Sequence, residues 1–282
     1  MIDLHVHSTV SDGSNTPKEI IRMAYEKKIK LLALTDHDNI EGLEEAKMEA
    51  SRYNIEFLDG IEVSASYKTG RLLHILGLGI DTKNASFLKT YTKFRKTREE
   101  KVENILRLIN KQGISINIEE LTEFAVGKYL DRQTIAKCLV KKGICMKVQE
   151  AWEKYLDPIA YEKGELLEVD ETIDMIKKSG GLSFLAHYPK MIGLAGYTEY
   201  EKEEHIKYLV SLGLDGIECY YPSFSEEDTK YGEYLAKKYN LLCSGGSDFH
   251  GSNRPEVSLG SGGGDFCIPN RVYEEIKVRL LK

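Results

Sequence analysis

Leu31-Leu32-Ala33-Leu34-Thr35-Asp36-His37-Asp38 holds the plan of this chain in eight residues. An apolar run without alternation reads as a strand buried on both faces, the signature of a parallel sheet. It leads directly into an acid, an imidazole and a second acid. The pattern recurs in Leu182-Ser183-Phe184-Leu185-Ala186-His187, and Leu241 to Gly246 precedes Asp248 and His250. Further β-type runs are Ile2 to Val6, Glu56 to Val63, Leu72 to Leu78 and Gly216 to Cys219. Helical patterns separate several of them: Pro17 to Lys28, Tyr200 to Leu212 and Glu226 to Tyr239. Alternating strand and helix predicts an α/β fold with parallel strands, either a βα-barrel or an open sheet.

One connection breaks the alternation. Ser66 to Arg71 is too short for a parallel crossover, so the third and fourth strands must form an antiparallel hairpin around Lys68, Thr69 and Gly70. Centred there, the turn places His74 opposite Val63, and any barrel is irregular. The middle of the chain is helical throughout. Phe87, Leu88, Tyr91, Phe94, Val102, Ile105, Leu106 and Ile109 keep a helical period up to Gly113. Asn117 with Glu120 resembles a capping box, Asp131 can cap a further helix to Gly143, and Val148 to Leu156 can form another. The expected organisation is therefore a barrel segment over 1–84, an all-helical insertion over 85–167 and a second barrel segment over 168–282.

Composition bounds the function. Of 282 residues, 41% are hydrophobic, enough for a packed core, and no apolar run approaches the roughly 18 residues that span a bilayer. Asp3, His5 and His7 interrupt the N-terminus, so no signal peptide is read there. Five cysteines without a C-x-x-C pair fit free thiols in a reducing cytoplasm. Lys plus Arg number 39 against 45 Asp plus Glu, a net charge of −6 that gives no global attraction to duplex nucleic acid or anionic membrane.

The histidines carry the chemistry. Six of the seven fall at or just beyond strand ends, the edge where βα-folds build their sites: His5, His7, His37, His74, His187 and His250. Asp12, Glu62 and Asp248 lie among them. So many polar groups at one edge would cost a few kcal/mol each if buried without partners, so the pattern points to metal. Mixed imidazole and carboxylate donors suit Mn, Zn or Fe, and nine such residues suffice for two or three ions. Three divalent ions (+6) against three carboxylates (−3) make a positive site inside a chain of net −6, suited to a phosphate. Such ions also lower the pKa of bound water to about 7 and so supply hydroxide at neutral pH.

His5-Val6-His7, Ser11-Asp12-Gly13, Thr35-Asp36-His37-Asp38, Gly60-Ile61-Glu62-Val63-Ser64 and Gly246-Ser247-Asp248-Phe249-His250 resemble, in order, the motifs of the polymerase and histidinol phosphatase (PHP) family. That resemblance implies a distorted (β/α)7 barrel carrying a helical insertion that caps the substrate. It also implies a trinuclear metal centre, manganese first with zinc or iron as alternatives, used for phosphoester hydrolysis. Mapped onto this chain, one ion would be held by His5, His7, Glu62 and Asp248, a second by Asp12, His37 and His250, and a third by Glu62, His74 and His187. Leu130-Asp131-Arg132-Gln133-Thr134-Ile135-Ala136 resembles the stand-alone bacterial branch described as 3′,5′-nucleoside bisphosphate phosphatases and 5′-to-3′ exonucleases on short RNA. The usual wording there is Gly-Arg-Pro-His, so Asp131 and Gln133-Thr134 depart from it.

The branch implies that Arg132 grips a substrate phosphate from a helix N-terminus, where backbone N–H groups also favour an anion. Lys190 is a second substrate-binding candidate, and Arg254 has similar standing. Arg95, Lys96, Arg98 and Lys101 read as a solvated basic helix face, Tyr129 and Tyr188 as candidate base-stacking residues, and Asp36 and Asp38 as partners that orient imidazoles. The expected partner is a small phosphorylated nucleotide or short oligonucleotide. A histidinol-phosphate phosphatase and a non-catalytic metal-binding module are the alternatives.

Overall fold

The computed structural model describes residues 1–264 and 266–281. In chain order the elements are β1 (Ile2–Asp3), α1 (Pro17–Glu26), β2 (Leu31–Leu34), α2 (Leu43–Tyr53), β3 (Glu56–Tyr67) and β4 (Arg71–Leu78). Then come α3 (Ala85–Glu99), α4 (Val102–Asn110), α5 (Ile118–Thr122), α6 (Arg132–Lys141) and α7 (Val148–Ala151). The rest is β5 (Leu167–Glu168), α8 (Val169–Lys178), β6 (Leu182–Leu185), α9 (Glu199–Ser211), β7 (Gly216–Tyr220), α10 (Glu226–Tyr239), β8 (Leu242–Gly245) and α11 (Asn270–Leu280). The chain divides into two compact units, Met1–Phe87 with Glu168–Lys282, and Leu88–Leu167.

The first unit holds the sheet, in the order β1-β2-β3-β4-β6-β7-β8, with β5 off this path. β1, β2 and β3 run parallel, as do β6, β7 and β8, while β4 is antiparallel to both β3 and β6. The two ends of the path meet. Leu4 N donates to Gly245 O (3.2 Å), Asp248 N to His5 O (2.8 Å) and His7 N to Phe249 O (2.9 Å). The residues that follow β1 and β8 are thereby tied to one another, and those residues carry the chemistry.

Local sequence explains the supporting layer. Thr16 and Glu19 form a capping box ahead of α1, with Pro17 in its first turn. Ile20, Ile21 and Ala24 on α1 and Leu43, Ala46 and Ala50 on α2 then bury against Leu32 and Leu34 of β2. At about 1.5–3 kcal/mol for each fully buried large side chain, this layer holds β2 in place, and with it the loop bearing His37. Gly216 marks a tight contact: a Cβ there would lie 2.3 Å from the Phe184 ring.

The β3–β4 hairpin forms, with a register one residue from expectation. A tight turn over Lys68–Gly70, with Gly70 at φ +76°, pairs Tyr67 with Arg71, so His74 lies opposite Ser64 and Val63 opposite Ile75. The difference matters because a one-residue slip turns every side chain to the other face. The observed register puts His74 on the face that carries Glu62.

The second unit is helical. Capping boxes at Asn117 and Asp131 begin α5 and α6. The long helical period breaks between α3 and α4, where Lys101 N turns back to Arg98 O in a tighter i−3 bond. Val102, Ile105, Ile109, Leu121, Ile135 and Leu139 are among the residues of this unit's own core. Arg95 and Arg98 are not a solvated face. Both are buried, at 2% and 5% exposure, and Arg95 pairs with Asp131 at 3.0 Å.

Candidate metal centre

Glu62, buried in the middle of β3, is the hub. Its Oε2 lies 3.2 Å from His5 Nε2, 3.1 Å from His7 Nε2 and 3.1 Å from His37 Nδ1. Its Oε1 lies 2.9 Å from His74 Nδ1 and 3.1 Å from His187 Nε2. Asp248 Oδ1 stands 3.1 Å from His7 Nε2 and 3.4 Å from His5 Nε2, and Asp12 Oδ1 stands 3.2 Å from His250 Nε2. All nine candidate ligands named from the sequence therefore fall in one cluster.

These contacts have the spacing of ligands around an ion. His5 Nε2, His7 Nε2, His37 Nδ1, His250 Nε2 and Glu62 Oε2 are buried and make no hydrogen bond, although each has a polar neighbour close by. Atoms bonded to one cation at about 2.1 Å sit about 3.0–3.4 Å apart and point at a shared centre instead of at each other. Among the described residues three groups have donor atoms that converge in this way: His5, His7, Glu62 and Asp248; His7, Asp12, His37 and His250; and His37, Glu62 and His74. Nitrogen and carboxylate donors in these proportions fit a divalent transition metal.

The electrostatics agree. Burial opposes ionisation of Glu62 and Asp248, yet the imidazoles around them hold both well below the usual carboxylate range. Burial also opposes charge on His7, but the carboxylates of Asp248 and Glu62 beside its Nε2 raise it to about 10. For His37 burial wins and lowers it to about 3. The carboxylates stay ionised and require positive charge beside them.

Several residues hold the ligands in place. Asp36 accepts from Ser8 N (2.8 Å), Ser8 Oγ (2.7 Å), Ser11 N (3.2 Å) and Ser11 Oγ (2.6 Å), so it braces the loop that carries Asp12 instead of orienting an imidazole. Asp38 accepts from Ser64 N at 2.9 Å. Asp3, pushed up to about 6 by burial against hydrogen bonds from Ser247, receives Ser247 N, Ser247 Oγ and Gly260 N and fixes the approach to Asp248. Gly246 passes so close that a Cβ would lie 2.2 Å from that of His5. His187 (φ +28°) and Asp248 (φ +54°) hold left-handed backbone that non-glycine residues rarely adopt, and such strain gathers at functional sites.

Glu218 on β7 is the residue that sequence reasoning missed. It is fully buried, its Oε1 accepts from His5 Nδ1 at 3.0 Å, and its Oε2 accepts the His187 backbone N–H at 2.6 Å. A carboxylate on Nδ1 fixes the tautomer that leaves the Nε2 lone pair free for a metal. The available signal was a lone acid inside the apolar strand Gly216-Ile217-Glu218-Cys219.

Arg132 corrects an expectation. Its side chain is buried, and all five N–H donors are engaged within the helical unit. Nε bonds Glu165 Oε1, Nη1 bonds Leu156 O (2.7 Å) and Ile159 O (2.9 Å), and Nη2 bonds Glu165 Oε2 (3.1 Å) and Ala160 O (3.3 Å). No donor remains for a phosphate in this arrangement. Tyr188 is likewise fully buried, with its hydroxyl on Asp228 O, so it offers no stacking face. Lys190 is partly exposed and rests on Ser223 O at 3.3 Å.

Residues 3–239 match the PHP domain. The chain belongs to the PHP family. It is 32% identical to the 3′,5′-nucleoside bisphosphate phosphatase of Chromobacterium violaceum, with 100% of this chain and 98% of that protein covered. It is 31% identical to a 5′-3′ exoribonuclease of Haemophilus influenzae, covering 88% of this chain and 89% of the relative. It is also 30% identical to a phosphoribosyl 1,2-cyclic phosphate 1,2-diphosphodiesterase of Eggerthella lenta, over 88% of this chain and 94% of that one. A solved structure from Chromobacterium violaceum, described as an amidohydrolase with bound sulfate and no metal, matches with TM-score 0.79 at 30% identity over 99% of this chain and 96% of that one. A Bifidobacterium adolescentis structure described as a metal-dependent phosphoesterase shares the fold, with TM-score 0.81 at 23% identity over 99% of this chain and 96% of that one. This PHP chain is an enzyme of the metal-dependent phosphoesterase class, with an α/β sheet and a His/Asp/Glu cluster able to bind metal. Among its described residues no helix is long and apolar enough to cross a membrane.

Proposed function

We propose that the chain removes a phosphate from a small phosphorylated nucleotide, with the 3′-phosphate of a nucleoside 3′,5′-bisphosphate as its leading substrate. Trimming of short RNA from the 5′ end is the related activity. The carrying observation is the convergence of the buried residues His5, His7, Glu62 and Asp248, with Glu62 shared by the neighbouring group and with His5 Nε2, His7 Nε2 and Glu62 Oε2 making no hydrogen bond. The names of the relatives, a bisphosphate phosphatase and an exoribonuclease, direct the choice of substrate.

The first ion site is assigned to His5, His7, Glu62 and Asp248, the second to Asp12, His37 and His250, and the third to Glu62, His74 and His187, with manganese favoured and a cytoplasmic setting. When bound, divalent ions activate water and offset charge building on the phosphoryl oxygens. The protein's own part is preorganisation. Glu218 fixes His5, Asp36 and Asp3 hold the loops bearing Asp12 and Asp248, and Glu62 stands where two ligand groups join.

The test is phosphate release with Mn²⁺ present, comparing adenosine 3′,5′-bisphosphate, 5′-AMP, histidinol phosphate and a 5′-phosphorylated RNA trimer. Release from the bisphosphate well above 5′-AMP and histidinol phosphate is expected. Release from histidinol phosphate alone would overturn the nucleotide reading.

A further inference from the structure

Arg132 leaves the substrate anion without a gripping cation in this arrangement, and the sheet-bearing unit supplies another. Arg254 lies four residues beyond His250. One arm of its guanidinium, Nη1, bonds Asp248 Oδ2, while Asp248 Oδ1 faces His7 Nε2 at 3.1 Å. The Tyr221 hydroxyl donates to the same Oδ2 at 2.7 Å, and the Tyr221 ring stands against His187 at 5.9 Å. Arg254 therefore sits at the rim of the ligand cluster, held by a carboxylate that itself faces the site.

Its other side-chain donors are free. Beyond Asp248, the guanidinium has no hydrogen-bond partner among the described residues, and the side chain is 38% exposed. Arg132 shows the contrasting case, with 1% exposure and five donors in use. A planar fork anchored by one arm has already lost much of its rotational freedom, so presenting the remaining N–H groups to phosphate oxygens costs little further ordering. Lys190 also lies by Tyr221, with Nζ 5.9 Å from the ring centre.

We propose that Arg254 is the side chain that grips a phosphate oxygen of the substrate, and that Tyr221 positions Asp248 so that Arg254 keeps its remaining donors outward. The inference rests on the phosphoesterase reading above and names the phosphate-binding residue of that site.

The experiment compares wild type with Arg254→Met and Arg254→Lys in three measurements. These are direct titration with inorganic phosphate in the presence of Mn²⁺, KM and kcat on adenosine 3′,5′-bisphosphate, and metal bound per chain. The Met variant should weaken phosphate binding and raise KM about 10- to 100-fold. The Lys variant should recover part of the loss, and metal per chain should stay at the wild-type value. Unchanged phosphate affinity in metal-loaded Arg254→Met would overturn the proposal, and a loss of metal with normal phosphate affinity would reduce Arg254 to a positioning residue for Asp248. The two claims separate cleanly. Phosphate binding that weakens in the variant upholds the grip even if wild type hydrolyses none of the esters, an outcome that would sink only the substrate reading.

Discussion

Replacing Glu218 by Gln exchanges one carboxylate oxygen of a fully buried side chain for an NH₂ group and tests whether the ligands are held from behind. In the native protein one carboxylate oxygen accepts from His5 Nδ1 and the other accepts the His187 backbone N–H. An amide keeps one acceptor and gains a donor. If its oxygen stays on His5, its NH₂ group meets the His187 N–H, and two donors face each other. If it turns round, the NH₂ group requires Nδ1 of His5 to accept, and the imidazole proton moves to Nε2, the atom aimed at Glu62 and Asp248. Either way one charge-assisted hydrogen bond, worth about 1.5–3 kcal/mol, is lost. That corresponds to about 10- to 100-fold in metal affinity, the range found for partners behind metal-bound imidazoles. Chelator competition with Mn²⁺ measures the affinity, and circular dichroism confirms that the fold survives. Metal affinity within twofold of wild type in a folded Glu218→Gln protein would refute the reasoning.

Arg132→Met should destabilise the helical unit by about 3–5 kcal/mol in urea unfolding, because Glu165 is left buried without its cation. Metal bound per chain should be unchanged in that variant. Burial opposes charge on Asp131, but Arg95 and Arg98 hold it below its ordinary value of 3.8. Its contribution to stability is therefore complete above that value and is lost as pH falls through the lower folded-state pKa. Asp131→Asn should flatten the acid limb of the stability curve without changing it at pH 7–8 by more than the cap and ion pair together, about 1–3 kcal/mol. Removing metal with a chelator should lower the thermal midpoint, and Mn²⁺ at a hundred times its dissociation constant should restore about 2.7 kcal/mol.

The sheet was legible because its strands are short apolar runs that end abruptly in polar residues, as Leu31–Leu34 does before Asp36 and His37. Of the nine clustered residues all but Asp12, which sits in the turn after His7, were legible for the same reason, since they lie in or a few residues beyond a strand and the topology brings those positions together. The hairpin register was not, because a two-residue and a three-residue turn differ by one position and the sequence around Gly70 permits both. Glu218 was hidden because one acid in a strand carries no sign of which way it points. Arg132 misled because a helix N-terminus shows where an arginine starts, while the carbonyls of Leu156, Ile159 and Ala160 that capture it lie more than twenty residues away. Long-range satisfaction of a buried cation is a property of the folded chain and leaves little trace in local sequence.

The most direct test of the account is phosphate release from adenosine 3′,5′-bisphosphate by chelator-stripped protein, measured while Mn²⁺ is returned in steps and bound metal is counted in parallel. Release should be absent from the stripped protein and rise with the metal bound, and it should fail to rise in Glu62→Gln. Equal release with and without metal, or a fully loaded protein that frees no phosphate from the bisphosphate or from short RNA, would contradict it.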